Sequence, residues 1–267
     1  MWRINREAVL LGAGPTALLL QIAHPSVAQG VAEHSAFEAD PFRRLHGTIS
    51  TTMDLVFGDA SAANAAVRRL NGVHATVRGD GYRALDPELL LWVQATLIVT
   101  SVRAYHRWVR HLTRPELDLF WDEARSVGVR LGIPLSLSPR DWSALMAYWR
   151  RMLSDRGPIH PTATAKRLAP AIIRPPLARV PGLAVDALAL PGLALLPPRL
   201  RREYGIAWDS AKELAALSAG KLIRAWAKTV PAPLRSMPQA RDAYRRVKAA
   251  GVATDRPPST RISVPVT

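Results

Sequence analysis

The spacing of apolar positions predicts helices along nearly the whole chain. Glu7 to His24 reads as a first helix, with Pro15 marking a start or kink and Pro25 restricting the residue before it. Residues 40–59, DPFRRLHGTISTTMDLVFGD, open on an Asp-Pro pair suited to a helix start and close on Gly58, suited to its end. Ser61 is placed to cap the next helix. There Ala63, Ala66, Val67, Leu70, Val73 and Val77 recur at a 3-4 spacing that describes one apolar face. His74 falls on that face, and Arg78 lies one turn beyond it.

Asp86-Pro87-Glu88 starts the longest run. Its uncharged part, Leu89 to Val102, is shorter than the ~20 residues needed to span a bilayer, so it reads as a core helix. Thr113-Arg-Pro-Glu116 resembles a capping box and opens a helix ending near Gly132. Ser138-Pro-Arg-Asp141 repeats the device before WSALMAYWRRML. After Gly157 proline becomes frequent, so helices in 158–200 must be short or kinked, and Pro191 argues against a spanning helix in the apolar run from Gly182 to Pro198. Further helices are expected at Ser210 to Lys228 and around 238–250, with a disordered tail from Gly251 that contains Pro257-Pro258. The sum is an all-α fold, one helical domain over residues 1–250, and a tail at 251–267.

Composition narrows the chemistry. The chain has no cysteine, which removes disulfides, thiolate nucleophiles, iron–sulfur clusters and covalent c-type haem attachment. Any metal or haem must be held by His, Asp, Glu or Tyr. The net charge of +15 invites a nucleic-acid reading, but the arginines are scattered, with no stripe and no interleaved aromatics, so no nucleic-acid partner is expected. Attraction to an anionic membrane surface fits better, because here basic charge accompanies apolar segments. At the N-terminal side, Arg3 and Arg6 precede an apolar run, as in a signal peptide, but Glu7, Gly12, Gly14 and Pro15 interrupt it. The expectation is a cytoplasmic chain, open to peripheral membrane contact, whose first helix belongs to the folded domain.

Neither a phosphate-binding loop, nor a nucleophile elbow, nor a His-Glu-x-x-His pair is present, and GAGPTA (12–17) follows no strand. Facing Glu-x-x-His pairs for a di-iron site are also missing. What remains is histidine on helices. His74 alone fits a buried core histidine as well as a ligand. Arg44 and Thr48, one turn apart on the preceding helix, add a pair of donors of the kind an oxygen-handling haem pocket uses opposite its axial histidine.

The succession LLLQIAHP (18–25), EHSAFEADPFRRLHGT (33–48), VHATVRG (73–79) and DPELLLWVQATL (86–97) resembles the mpaB and rubber-oxygenase catalytic domain family. LLPPRLRREYG (195–205) and Pro231-Ala-Pro-Leu-Arg235 are similar to that family's C-terminal part, so the likeness covers about residues 5 to 250. The resemblance implies an all-α fold with a globin-like core around one non-covalent haem b. It implies His74 as axial iron ligand, Arg44 and Thr48 as the distal pair, and Glu33 as the match for a proposed catalytic base. The implied activity is haem-dependent oxidative cleavage with dioxygen of a hydrophobic, isoprenoid- or lipid-like substrate. Arg78 is placed either to pair with a haem propionate or to form a surface salt bridge, and His24 to cap or support the site. One position departs from the pattern: Gly47 stands where a family member carries a lysine just before the threonine, which leaves the sixth position open, to water or to His46. Two alternatives stand beside this reading: a non-enzymatic lipid- or membrane-surface-binding helical protein, and a haem sensor or peroxidase-like protein.

Overall fold

The computed structural model describes residues 1–34, 41–175 and 182–251, and side chains within these outside 41–46 and 182–184. The expected tail begins at Gly251, and all of it beyond that residue lies outside the described residues. The described chain is all-α apart from one two-stranded hairpin.

The first expected helix, Glu7 to His24, is two pieces. After α1 (Trp2–Asn5), a 3-10 helix (Ala8–Ala13) turns into α2 (Gly14–Ile22) where Pro15 occupies the first turn. Pro25 then opens α3 (Pro25–His34), because a proline is tolerated where the first helical N–H groups lack partners anyway. A helical hairpin follows, made of α4 (Pro41–Phe57) and α5 (Ala60–Thr76). The cap of α5 is Asp59, not Ser61: its carboxylate accepts the Ala62 N–H at 2.8 Å.

The expected apolar face of α5 holds only for its first half. Ala63 and Ala66 are buried, whereas Val73 is 56% exposed. The helix ends at Thr76, so Val77 lies beyond it. The sequence from there is a hairpin that periodicity did not reveal. β1 (Arg78–Gly79) pairs antiparallel with β2 (Tyr82–Arg83) through the two-residue loop Asp80-Gly81. Gly81 takes φ of 73°, the left-handed conformation that such a turn requires and glycine supplies.

The longest helix, α6 (Pro87–Trp108), is capped by Asp86 as expected. Then come α7 (Arg114–Arg130), with its Thr113/Glu116 capping box, and α8 (Trp142–Met152). The start of α8 differs from expectation. Asp141 is its cap, accepting the Ala144 N–H at 2.8 Å, while Ser138 is buried three residues upstream. The proline-rich region folds as short helices: α9 (Ala163–Ile173), α10 (Gly182–Leu193) and α11 (Pro198–Glu203), with Pro170 and Pro191 inside the first two. The described chain ends in α12 (Ser210–Thr229), α13 (Ala232–Arg235) and α14 (Pro238–Ala249).

α6 is the hub, packed by α1, α2, α7, α12 and the 3-10 helix. Its Leu91, Trp92, Ala95, Val99 and Val102 join Leu19 and Leu20 of α2, Trp121 of α7, Leu145 of α8 and Leu168 of α9 in one core. Trp92 stacks on Trp149 with ring centroids 5.4 Å apart and donates its indole N–H to the Leu20 carbonyl. A smaller cluster joins the two sides of the sequence. Trp2, Met53, Val56, Phe57, Met237, Ala240 and Ala243 pack together, and the Trp2 indole donates to the Val56 carbonyl at 2.6 Å.

Beside that cluster, Glu7 is only 1% exposed and accepts a hydrogen bond from Arg235, while the Met237 N–H donates to the Arg6 carbonyl at 2.8 Å. Glu7→Ala should leave a buried guanidinium unpaired and lower the unfolding free energy by about 3 kcal/mol in urea titration. A midpoint equal to that of the parent would show that the pair contributes nothing. α10 reaches the 3-10 helix through Gly192, whose absent Cβ would stand 2.2 Å from the Gly12 carbonyl oxygen. Gly192→Ala should push the two apart at a cost of about 2 kcal/mol, read as a lowered thermal midpoint.

Candidate active site

Three elements converge on the end of α5. His74 lies in its last turn, half-buried, and lines an open pocket of about 270 Å³ together with Ala75, Val77, Arg78, Arg83, Leu85, Asp86 and Pro87. One wall is therefore the helix end, the second is the hairpin, and the third is the cap of α6. Helix and hairpin sit side by side because the α5 C-cap, Val77, is already extended, at φ −88° and ψ 97°. That turn of the backbone brings Arg78 and Arg83, paired across the hairpin, to the same pocket.

The hairpin is fixed to α3 by polar contacts. Tyr82 is buried, and its hydroxyl donates to Glu33, whose other carboxylate oxygen accepts from Gln29. The Nε2 of His34 meets the Arg78 carbonyl at 3.0 Å, which assigns this nitrogen as the donor. Close approach depends on glycine. A Cβ on Gly79 would stand 2.5 Å from the Tyr82 ring and 2.8 Å from the Glu33 carboxylate. The electrostatics follow from these contacts. The Tyr82 hydroxyl, then Gln29, hold the Glu33 carboxyl below the usual carboxylate range. Burial, reinforced by Glu33, pushes the Tyr82 phenol up to about 12.

His24 stands at the break between α2 and α3. Burial lowers its pKa, opposed by the nearby Asp86 carboxylate, and Asp86 is itself part of the pocket wall. Its Nδ1 is buried and has no hydrogen-bond partner among the described residues. His24 is thus a neighbour of the site through Asp86.

The expected residues are therefore partly assembled. His74 and Arg78 share the pocket, and Glu33 is held against the hairpin that carries Arg78. Thr48 is exposed on α4, where its carbonyl accepts from Thr52. Arg69 of α5 bonds Thr51 and Asp54 of α4, so the two helices run antiparallel and Thr48 and His74 both lie beyond that contact, towards the open end of the pair. The side chains of Arg44 and His46 lie outside the described residues, and a Cβ on Gly47 would meet none of the described residues within 4 Å beyond its own stretch of helix. Sequence reasoning did not find Arg83, Leu85, Asp86 or Tyr82 as part of this region. The Asp80-Gly81 dipeptide was the available signal, since Asp-Gly between short extended segments marks a two-residue hairpin.

His106 and His160 make structural contacts away from the pocket. The Nε2 of His106 accepts the Leu112 N–H at 3.0 Å at the turn after α6, and His160 contacts Arg199. Among the described residues no group of three or more His, Asp or Glu side chains is arranged to hold a metal ion directly. No single described helix is long and apolar enough to cross a membrane. One bent pair, Ala8–Ile22 with Pro25–His34, passes on length and composition with an angle of 106° between its halves.

The chain is 28% identical over 145 residues to the uncharacterized protein Mb2261 of Mycobacterium bovis and, to the same extent, to the uncharacterized protein Rv2237 of Mycobacterium tuberculosis. The aligned stretch is 51% of this chain and 57% of each relative, so the chain spans little more than half the length of the curated relatives it matches. No solved structure matches it. Over residues 1–253 the sequence matches the oxygenase family described as ER-bound oxygenase mpaB/B'/rubber oxygenase, catalytic domain, and the chain belongs to that family.

Proposed function

We propose that this chain is a haem b-dependent oxygenase that works with dioxygen on a hydrophobic, isoprenoid- or lipid-like substrate, and that His74 would hold the haem iron. The observation that carries this reading is the place of His74: a half-buried imidazole on the wall of an open pocket, with two guanidinium groups beside it. The donor set fits the group. Non-covalent haem asks for one imidazole, cations within reach of its carboxylates and apolar walls, and His74, Arg78, Arg83, Val77, Leu85 and Pro87 supply these. When bound, haem supplies the iron at which dioxygen is activated.

The chain's own residues have separable tasks in this reading. His74 holds the cofactor, and Arg78 and Arg83 bind its carboxylates. Arg44 and Thr48 of α4, which the resemblance pairs, would supply a hydrogen-bond donor each to bound oxygen or substrate. Glu33 acts through the hairpin: a carboxylate held ionised by Tyr82 and Gln29 is a weak proton acceptor but a good anchor for β2, which carries Arg83 and pairs with the strand bearing Arg78. Family membership supports the oxygenase class, and the apolar part of the lining supports a hydrophobic substrate.

Protein purified after expression with ample haem should show a Soret band, and His74→Ala should abolish it while leaving the helical circular dichroism unchanged. A colourless parent chain would sink the reading. Removing both guanidinium groups, in Arg78→Ala/Arg83→Ala, should speed haem loss to apomyoglobin on the order of tenfold, as expected for two lost charge-assisted contacts.

The Glu33 anchor has its own pH window. The folded pKa of Glu33 lies below its ordinary value of 4.5, so its contribution to stability is present above that value and is lost as pH falls through the lowered one. The folded pKa of Tyr82 is raised from 10.0 to about 12, so its contribution is full below 10.0 and is lost as pH rises between the two. The difference in thermal midpoint between the parent chain and Tyr82→Phe should therefore be steady between these limits and shrink on either side. In Glu33→Gln, one of the five tyrosines should titrate nearer its ordinary pKa in absorbance at alkaline pH. An unchanged tyrosine titration would remove Glu33 as the anchor.

A further inference from the structure

The outer surface of α12 is built the opposite way from an ordinary surface helix. Its inward positions are small: Ala216, Gly220 and Ala227 are buried against the rest of the fold, at spacings of four and seven residues. The large apolar residues point out. Leu214 is 66% exposed, Leu222 71% and Trp226 42%, and Ala215, Ser218 and Ala225 complete that face. It continues past the helix end into Pro231, Pro233 and Leu234, the last 73% exposed.

Charge on this surface has one sign. Between Glu213 and Asp242 the chain contains no acidic residue, but it contains Lys221, Arg224, Lys228, Arg235 and Arg241. Arg224 and Arg235 turn inward, to the backbone carbonyls of Arg107 and His106 and to Glu7. Lys221 and Lys228 are exposed beside the leucines and the tryptophan. Glu213 is occupied by the Trp208 indole, which donates to it at 2.7 Å.

Exposed large apolar residues gathered on one helix face call for an occupant, because water is a poor one. A second copy of the chain is a poor one too. A two-fold contact on this face would set Lys221 and Lys228 against the same lysines, in a protein whose net charge is already +15. An anionic lipid surface matches on both counts. Leucines insert below the headgroups, a tryptophan sits at their level, and lysine stems lie along the apolar boundary with their ammonium groups among the phosphates.

We propose that the outer face of α12, with the Pro231–Leu234 segment, docks this protein peripherally on an anionic membrane, the helix lying in the plane of the surface. This requires no spanning helix and does not rest on the cofactor assignment. The docking would place an enzyme for apolar substrates where such molecules collect.

The test is co-sedimentation of the full chain with phosphatidylcholine vesicles prepared with and without phosphatidylglycerol. Binding should require the anionic lipid and weaken as salt rises. Leu222→Asp/Trp226→Asp should reduce it on the order of tenfold or more with the helical circular dichroism unchanged, and Leu222→Asp alone, at a side chain 71% exposed, should weaken binding without lowering the thermal midpoint. Lys221→Glu/Lys228→Glu should abolish the preference for phosphatidylglycerol. Lipids brominated near the headgroup should quench Trp226 in the parent chain, with the effect lost in Trp226→Phe. No sedimentation at low salt would overturn the proposal, as would binding unaffected by the Leu222/Trp226 variant. A concentration-dependent dimer dissolved by that same variant would assign the face to a second copy and also overturn it.

Discussion

The burial of α6 sets the terms for everything else. From Leu89 to Val102 this helix carries no charge, and among its side chains Leu91, Trp92, Ala95 and Val99 are all but inaccessible to water. A helix apolar on most sides cannot stop at one partner. It recruits α2 and α12 along its length, with α7 and the 3-10 helix completing the jacket. Two of the polar groups that enter this interior are tied to backbone, the Trp92 indole to the Leu20 carbonyl and the Gln94 amide N–H to the Ala124 carbonyl at 2.7 Å, while the indole N–H groups of Trp108 and Trp149 are buried with no hydrogen-bond partner among the described residues. The pocket exists at the edge of this arrangement, where the α6 cap and the end of α5 meet beside the hairpin.

That position explains the mixed character of the site. α5 begins as a packed helix and ends as an exposed one, so His74 is neither a core residue nor a surface residue. Its surroundings are supplied by backbone turns rather than by the core. The Val77 turn delivers Arg78, the Asp80-Gly81 loop returns the chain with Tyr82 and Arg83, and Asp86 closes the wall while capping α6. Anchoring falls to two residues of α3. Glu33 takes the Tyr82 hydroxyl and His34 the Arg78 carbonyl, so one end of α3 controls the strand that presents the cations.

The helical class, the capping box at Thr113 and the start of α6 at Asp86 were legible because each rests on a local signal with a fixed offset. Cap positions went astray where two candidates competed. Asp59 and Asp141 won over Ser61 and Ser138, because the residue that matters is the one whose backbone leaves the helix, and spacing of apolar residues does not show which that is. The hairpin was missed because four strand residues are too few for an alternating pattern. Its effect on the site was large all the same: it turned a supposed continuous apolar face through Val77 into a pocket wall. The pairing of Glu33 with Tyr82 spans 49 positions and has no signature in either neighbourhood. The small inner face of α12 was in plain view, but only packing shows that the alanines and glycine face inward and the leucines outward.

The contact between Glu7 and Arg235 has a consequence for how the molecule is made. These residues are 228 positions apart, and the Trp2 cluster joins α1 to α14 in the same place. During synthesis the α1 region emerges early, with Arg6 beside Glu7 at 3.2 Å, but the Arg235 guanidinium reaches that carboxylate only after almost the whole described chain has followed. The fully buried members of the main core around α6 end at Leu200 of α11, and α12 then completes the packing on α6. Closure of the α14 clasp is then a separate, late event, and a ribosome that stalls between α12 and α13 leaves a chain with its interior in place and a Glu7 carboxylate that lacks its Arg235 partner.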